Sequence, residues 1–263
     1  MTTNERPLAI VTGGTSGIGY ELAEQLARHG HDVAISGSSD RVHSSAERLR
    51  ELGAQAWSHQ ADAATYDGVE SFWRFAEELG RPVAVAVLNV GIATGGAFAD
   101  TSLEDHLRVL GVNVTGTTHM AKRVVDHMVA NSGGSILIVS SLSGLTPTPY
   151  EGVYGGTKAF GYNLAETLRE ELRHHGINVT ALLPGATDSD FHSNAGMGAD
   201  TPVGRLEKFP RAEVARLGYE GLVAGVDMVV GGDEAEHEAL ERHRTTPEPE
   251  KAAAHARFVR PDR

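Results

Sequence analysis

The chain has 263 residues, a formal net charge of −12 and no cysteine. These values exclude disulfides and thiolate metal sites, and they disfavour a general electrostatic attraction to nucleic acid or anionic membranes. The N-terminus has no basic stretch leading into an apolar one, and the longest apolar run, Val83 to Leu88, is too short to span a bilayer. We therefore expect a cytoplasmic protein that binds neither nucleic acid nor membrane.

Short apolar runs alternate with longer helical segments along most of the chain. The runs predicted to be strands are residues 8–12, 33–36, 54–59, 83–88, 135–139 and 178–183. Because these runs are continuously apolar, they favour a parallel sheet that helices cover on both faces. With right-handed crossovers, this is an α/β fold with a Rossmann-type doubly wound sheet, and one domain of this length is common.

Helices between the strands are predicted from apolar residues that recur every three or four positions. Ile18, Leu22 and Leu26 indicate a first helix that ends near Gly30, and Asp40 is expected to cap the second. The remaining helical segments contain Val69, Phe72, Trp73 and Phe75, or span residues 103–131 and 153–175.

The end of the chain has a different composition. Residues 1–232 are assigned to the single α/β domain, and within it residues 186–210 mix glycine, proline and a few apolar residues. This segment is predicted to be irregular and to set substrate specificity, with apolar residues that could line a pocket: Phe191, Met197, Val203, Leu206 and Phe209. Residues 233–263 are predicted to form a charged helix with a solvated face, followed by a loose tail.

A glycine-rich turn directly follows the first predicted strand. It reads Thr12-Gly13-Gly14-Thr15-Ser16-Gly17-Ile18-Gly19, and a helix follows it. Glycines at this place let the backbone approach a pyrophosphate, and the helix N-terminus supplies oriented N–H donors. The turn therefore predicts a dinucleotide site that involves Gly13, Thr15, Ser16, Gly17, Ile18 and Gly19.

Tyr154 and Lys158 are four residues apart in a predicted helix, so they share one face. A phenol has a pKa near ~10, and a neighbouring ammonium lowers it toward a value that suits acid–base catalysis. Ser141 follows the predicted strand 135–139, and the carboxyl ends of parallel strands form the ligand crevice. The spacing therefore predicts a hydroxyl donor and a proton-transfer pair at one edge of the sheet.

Together, the T-G-x-x-x-G-x-G turn, Ser141 and the Tyr154–Lys158 pair resemble the classical short-chain dehydrogenase/reductase family, over roughly Leu8 to Phe191. The resemblance adds Asn113 and implies a catalytic tetrad that interconverts a ketone and a secondary alcohol. It further implies that Ser141 and Tyr154 hydrogen-bond the carbonyl oxygen and that Tyr154 transfers the proton. Lys158 would lower the Tyr154 pKa and hold the nicotinamide ribose, and Asn113 would help to position a water.

The resemblance also implies further cofactor-binding residues. Asp62 matches the residue that hydrogen-bonds the adenine amino group, and Val90 replaces the usual alanine after the fourth strand. Ser189 stands where the family normally has threonine and keeps a hydroxyl for the nicotinamide carboxamide. The remaining residues of this set are Asn89, Gly91, Pro184, Gly185 and Thr187.

The end of the second strand bears on the choice of cofactor. Gly37 stands where NAD-preferring members carry an acidic residue, so no carboxylate repels a 2′-phosphate there. Ser38 and Arg41 could bind such a phosphate, although Arg41 could equally be a solvent-exposed helix residue. Ser16, by contrast, replaces the basic residue of many NADP-dependent members. We predict that NADP(H) is favoured over NAD(H).

Several alternatives stay open at this level. One is a 3-oxoacyl-carrier-protein reductase, and another, from a different class, is a non-catalytic dinucleotide-binding regulator. A dehydratase or epimerase on the same fold is a third. The family resemblance implies a small-molecule carbonyl or alcohol substrate and a homodimer or homotetramer. The 13 histidines show no metal-ligand spacing, so no metal site is predicted.

Overall fold

The computed structural model describes residues 5–198 and 201–260. Residues 199–200, which belong to the predicted irregular segment, and residues 261–263, which end the predicted tail, lie outside the described residues. No helix in the described part of the chain combines the length and the apolar character needed to cross a membrane.

A parallel sheet forms the centre of the fold. Its strands are β1 (Leu8–Thr12), β2 (Asp32–Gly37), β3 (Ala56–Gln60), β4 (Val83–Leu88), β5 (Gly134–Val139), β6 (Ile177–Pro184) and β7 (Met228–Gly231). Their order is β3-β2-β1-β4-β5-β6-β7, so the direction of winding reverses between β1 and β4. Ligands bind open α/β sheets outside the carboxyl ends of the strands at such a switch point. The predicted Rossmann-type sheet is confirmed.

Helices cover both faces of the sheet. They are α1 (Gly17–Arg28), α2 (Arg41–Arg50), α3 (Tyr66–Glu78), α4 (Leu103–Leu110), α5 (Thr117–Ala130), α6 (Tyr154–Leu172), α7 (Phe191–Asn194), α8 (Pro202–Arg205), α9 (Arg211–Ala224), α10 (Glu234–Thr245) and α11 (Glu248–Val259). Leu8 and Ile10 of β1 pack into the core layer of α3, α5 and α6, whereas Ala9 and Val11 pack into the layer of α1, α2 and α9. Because successive strand side chains point to opposite faces, a strand covered on both sides must be apolar throughout.

One local prediction differs from the structure: Asp40 does precede α2, but its backbone is already helical and its side chain makes no capping hydrogen bond. Residues 103–131, predicted to be largely helical, form α4 and α5 with a π-helical turn, Gly111–Gly116, between them. Gly116 lies so close to the backbone of Ala63 that a Cβ there would overlap with the Ala63 carbonyl oxygen. The interruption therefore coincides with a close approach of two backbone segments.

The last strand, β7, and the helix before it, α9, were not predicted. Glycines weaken the apolar pattern of α9, and they serve close packing: a Cβ on Gly218 would lie 2.8 Å from Leu182 Cδ2, and one on Gly221 would overlap with Val229 Cγ2. β7 has four residues, and Val230 and Gly231 are its buried ones.

The predicted loose tail is wrong for residues 245–250, because α11 follows α10 after two residues. Leu240 is the buried residue of α10, so the prediction of a solvated face holds for most of that helix. In α11, however, Lys251 is only 7% exposed. Its Nζ donates to the carbonyl oxygens of Leu145 and His243, both at 3.1 Å, and lies 2.6 Å from Glu248 Oε1. These bonds fix α11 against α10 and the segment around Leu145.

Candidate active site

A cavity of about 490 Å³ opens at the carboxyl ends of β1, β4, β5 and β6. Most of the predicted site residues line it. They are Gly13, Ser16, Gly17, Ile18, Gly19, Asn89, Gly91, Ser141, Tyr154, Lys158, Pro184, Gly185, Thr187 and Ser189. Thr15, Ser38, Arg41, Asp62 and Asn113 do not line it.

The glycine turn between β1 and α1 is held by the end of β4. Gly13 and Gly17 have φ values of +69° and +58°, which glycine adopts without strain. Asn89 Nδ2 donates to the carbonyl oxygens of Thr12 at 3.0 Å and Gly13 at 3.1 Å. A Cβ on Gly19 would overlap with both Asn89 Nδ2 and the Gly13 carbonyl oxygen, so only glycine fits this packing.

The same turn leaves donors for a ligand. Ser16 precedes α1 and its side chain makes no capping bond to the helix. The first N–H groups of a helix have no intrahelical partners, and they attract anions. Since Ser16, Gly17 and Ile18 line the cavity, the residues present fit the phosphates of a dinucleotide.

Tyr154 and Lys158 lie in the first turns of α6, and each is only 7% exposed. Lys158 Nζ donates to the Val139 carbonyl oxygen at 2.9 Å and lies 5.8 Å from the centre of the Tyr154 ring. A Cβ on Gly91 would lie 2.9 Å from this amine, so the glycine makes room for it. The Lys158 ammonium, the Tyr154 phenol and the backbone of Gly91 therefore lie together in one corner of the cavity.

The protonation of this pair differs from the expectation. Burial raises the pKa of Tyr154, the nearby Glu151 carboxylate raises it further, and a hydrogen bond with Ser141 opposes both. Burial lowers the pKa of Lys158 to about 8. The expected lowering of the Tyr154 pKa by Lys158 is therefore not seen, because the amine binds the Val139 carbonyl and desolvation of the phenol dominates.

Two neighbouring serines at the end of β5 have different roles. Ser141 Oγ accepts from the Ser143 N–H at 3.1 Å and donates to the Pro184 carbonyl oxygen at 3.3 Å. The buried Ser140 hydroxyl donates instead to the Lys158 carbonyl oxygen at 2.7 Å. Ser141 is the serine whose side chain hydrogen-bonds Tyr154, while Ser140 anchors α6 to the sheet.

Asn113 lies in the π-helical turn, outside the cavity wall. Its Nδ2 donates to the Ile92 carbonyl oxygen and to Thr157 Oγ1, and its Oδ1 accepts from the Ile92 N–H, all at 2.9 Å. Short π-helical segments often occur at functional sites. Here the turn directs one amide side chain to hold the backbone next to Gly91 against α6. Its role in positioning a water stays a prediction.

Asp62 and the residues predicted to read the adenosine end lie away from the cavity. Asp62 Oδ2 is 2.7 Å from Arg108 Nη1, and this hydrogen bond lowers the pKa of the carboxyl group. Ser38 and Arg41 are exposed. The Thr15 hydroxyl is buried without a hydrogen-bond partner among the described residues. A Cβ on Gly37 would overlap with this hydroxyl in its present orientation.

The far wall of the cavity was missed from the sequence. It includes Glu151, His192, His243, His255 and Phe258, and the last three belong to α10 and α11. Burial and, to a smaller extent, the charge of Lys208 lower the pKa of His192 to about 4. The apolar Phe258 and Val259 within a charged segment are the signal that could have revealed this wall.

The predicted pocket residues of the 186–210 segment divide into two groups. Phe191, Val203 and Leu206 line the cavity. Met197 packs with Val203 in a small core beside α11, and Phe209 packs against the layer of α1, α2 and α9. Among the described residues, no group of three or more His, Asp or Glu side chains is placed to hold a metal ion.

Comparisons with known proteins agree with this geometry. The family model of short chain dehydrogenases matches residues 7–200. The chain is similar to the 3-oxoacyl-(acyl-carrier-protein) reductase FabG of Staphylococcus epidermidis, with 29% identity over 87% of this chain and 93% of that protein. It is also similar to a solved short-chain dehydrogenase from Sphingobium yanoikuyae in complex with NADPH, with a TM-score of 0.81 and 30% identity over 90% of this chain and 93% of that one.

A third relative is the bulky-bulky ketone specific alcohol dehydrogenase from Comamonas testosteroni, with a TM-score of 0.76 and 27% identity over 90% of this chain and 92% of that one. The family match covers the glycine turn, Ser141 and the Tyr154–Lys158 pair. The chain therefore belongs to the classical short-chain dehydrogenase/reductase family and is an NAD(P)-dependent oxidoreductase that acts on CH–OH or C=O groups.

Proposed function

We propose that the protein interconverts a small ketone and the corresponding secondary alcohol, with Tyr154 as general acid and base. The observation that carries the proposal is the convergence of Ser141, Tyr154 and Lys158 on the cavity that the glycine turn also lines. A reductase needs these hydroxyl donors and a dinucleotide site within reach of one substrate.

In the proposed reduction, a nicotinamide cofactor bound beside the glycine turn would supply the hydride that the carbonyl carbon accepts. Ser141 and Tyr154 donate hydrogen bonds to the oxygen on which negative charge develops, and hydrogen bonds aimed at developing charge lower the barrier. Because burial raises the pKa of Tyr154, the phenol is fully protonated at neutral pH and ready to donate. Lys158 Nζ, which binds the Val139 carbonyl oxygen and lies 5.8 Å from the centre of the Tyr154 ring, would hold the nicotinamide ribose.

We further propose that NADP(H) is preferred to NAD(H). Gly37 carries no acidic side chain that would repel a 2′-phosphate. Ser38 and Arg41 would contact that phosphate, and Asp62 would contact the adenine. The NADPH complex of the relative from Sphingobium yanoikuyae supports this choice.

The test follows the absorbance of reduced nicotinamide while NADPH or NADH is offered with a panel of ketones. We expect turnover with NADPH, and we expect Tyr154→Phe to lower kcat by about 10²- to 10⁴-fold, as the loss of a general acid does. The matched control is Tyr150→Phe, because Tyr150 Oη accepts a hydrogen bond from Arg260 outside the proposed reaction. Full activity of Tyr154→Phe would refute the assignment.

A second candidate is 3-oxoacyl-carrier-protein reduction, favoured by the 29% identity to FabG of Staphylococcus epidermidis. Turnover of a 3-oxoacyl thioester in preference to free ketones would support it. For a regulator without turnover, NADPH would bind and no ketone would be reduced. A dehydratase or epimerase would form product without net consumption of NADPH.

We also propose a homodimer or homotetramer. Leu103 and Leu107 of α4 are 65% and 55% exposed, and nearby Phe98 is 67% exposed. An apolar face of this kind is typical of protein–protein contact. Light scattering of the purified protein would give the number of subunits.

A further inference from the structure

Glu151 is a buried carboxylate that the proposed proton transfer does not use. Its side chain is 6% exposed, and Oε2 has no hydrogen-bond partner among the described residues. Its other oxygen, Oε1, lies 3.4 Å from His255 Nε2, which also lacks a hydrogen bond of normal geometry in the described structure. A buried carboxylate without full hydrogen bonding is costly, so such a group calls for a partner.

Backbone bonds hold Glu151 next to the reacting groups. Its N–H donates to the Thr148 carbonyl oxygen at 3.2 Å, and its own carbonyl oxygen accepts from the Tyr154 N–H at 3.0 Å. Glu151 also forms a parallel bridge with Gly96. The carboxylate is near enough to raise the pKa of the Tyr154 phenol. Glu151 and His255 therefore line the same cavity as Ser141 and Tyr154.

His255 is presented by α11, which is itself well anchored. Val259, one turn further along this helix, is 2% exposed and packs with Met197 and Val203. Lys251, one turn earlier, is bound to two backbone carbonyls. The imidazole therefore faces Glu151 from a fixed helix.

The rest of the cavity limits what can bind the pair. Phe191, Val203, Leu206 and Phe258 make the surrounding wall apolar. Among the described residues that line the cavity, Lys158 is the only lysine, and there is no arginine. Three lining residues are acidic: Glu151, Asp190 and Glu236. An anionic substrate would be repelled by this balance of charge. A neutral hydroxyl, in contrast, can donate to the free carboxylate oxygen.

We propose that Glu151 and His255 form a hydroxyl-binding site beside the reacting carbonyl, so that the substrate is an uncharged hydroxy ketone or, in the reverse direction, the corresponding diol. The hydroxyl donates to Glu151 Oε2 and is not itself transformed. This inference rests on the proposed ketone reduction. It distinguishes the substrate from a plain alkyl ketone and from an oxo acid.

The experiment compares kcat/KM with NADPH for matched pairs: acetoin against butan-2-one, and 1-hydroxy-1-phenylpropan-2-one against 1-phenylpropan-2-one. We expect the wild type to prefer the hydroxylated member of each pair. The preference should fall by about tenfold or more in Glu151→Met, which has no acceptor, and in His255→Leu, since a hydrogen bond to a charged group is worth this much. Glu151→Gln keeps an acceptor oxygen and should lose less. Glu250→Gln, on the exposed side of α11, is the matched control.

A second measurement does not depend on turnover. With Tyr154→Phe saturated with NADPH, calorimetry should give tighter binding of the hydroxy ketone than of the ketone, and the additional change Glu151→Met should abolish the difference. If the wild type reduces both members equally, or if Glu151→Met leaves the preference intact, the hydroxyl-binding site is refuted while ketone reduction stands. If no ketone is reduced with either cofactor, both proposals fail. A preference for acetoacetate over butan-2-one would also overturn the inference.

Discussion

The two walls of the cavity are built in different ways. The wall formed by the glycine turn and the strand ends, here called the backbone wall, presents glycine backbone to the cavity: the Asn89 side chain bonds the carbonyls of Thr12 and Gly13, and Gly19 permits no side chain. The wall formed by α10 and α11, here called the side-chain wall, presents side chains such as His255 and Phe258. Backbone contacts tolerate little change, whereas side-chain contacts vary with sequence. The first wall is thus suited to an invariant cofactor and the second to a particular substrate.

The largest expected effect is on the backbone wall. Gly19→Ala places a methyl group against Asn89 Nδ2 and the Gly13 carbonyl, so the turn must move. We expect NADPH to bind about 100-fold more weakly, which corresponds to the upper range of overpacking costs. Fluorescence titration with NADPH measures this. The control is Gly156→Ala in α6, where a Cβ meets no atom within 4 Å and affinity should not change.

A smaller effect is expected at the adenosine end. Arg41→Ala should weaken NADPH binding by about tenfold or more and leave NADH binding unchanged, because an arginine bonds a 2′-phosphate that NADH lacks. The comparison variant is Arg48→Ala on the same helix, whose guanidinium lies 4.1 Å from the centre of the Tyr20 ring. Equal losses for NADPH and NADH would contradict the proposed preference.

On the side-chain wall, Lys251→Met should leave the carbonyls of Leu145 and His243 without their donor. We expect α11 to loosen, so that KM for the ketone rises by about tenfold, roughly the worth of a hydrogen bond to a charged group. The dissociation constant for NADPH should not change, and a parallel loss would show that the two walls are not independent. Lys122→Met, on the exposed surface of α5, is the control.

The smallest expected effect concerns His192 in α7. Burial holds its pKa at about 4, below the ordinary 6.5, so protonation opposes folding. The contribution of the neutral ring is complete above pH 6.5 and is lost as the pH falls toward 4. Between pH 7 and pH 4.5 the free energy of unfolding falls as the ring becomes protonated. Because the ring is only partly buried, we expect His192→Gln to make this fall smaller by about 1 kcal/mol. Urea unfolding at pH 7 and pH 4.5 checks this; an unchanged difference would contradict it.

The sequence predicted the backbone wall far better than the side-chain wall. The bounds of β1 and β4 agree with the prediction residue by residue, since a strand buried on both faces leaves an unbroken apolar run. The glycine turn is equally local. The α10–α11 wall depends on contacts between distant segments, such as Lys251 with the Leu145 carbonyl. A charged, proline-containing segment carries no local sign that its lysine will be buried.

The site residues, too, were predicted where local sequence spacing brings them together and missed where distant segments do. Ser141, Tyr154 and Lys158 lie at a strand end and on one helix face, so sequence spacing brings them together. Glu151 is near Tyr154 in the chain, but its importance depends on His255, which reaches it only through the packing of α11. The displaced pKa of Tyr154 could not be predicted either, because it depends on how completely the phenol is buried.

The contact between Thr15 and Gly37 couples two positions in any redesign of the cofactor site. A side chain introduced at position 37 would meet the Thr15 hydroxyl, which must rotate away or be removed. Because that hydroxyl has no hydrogen-bond partner among the described residues, its removal breaks no hydrogen bond. An acid at position 37 is therefore to be introduced together with Thr15→Ala.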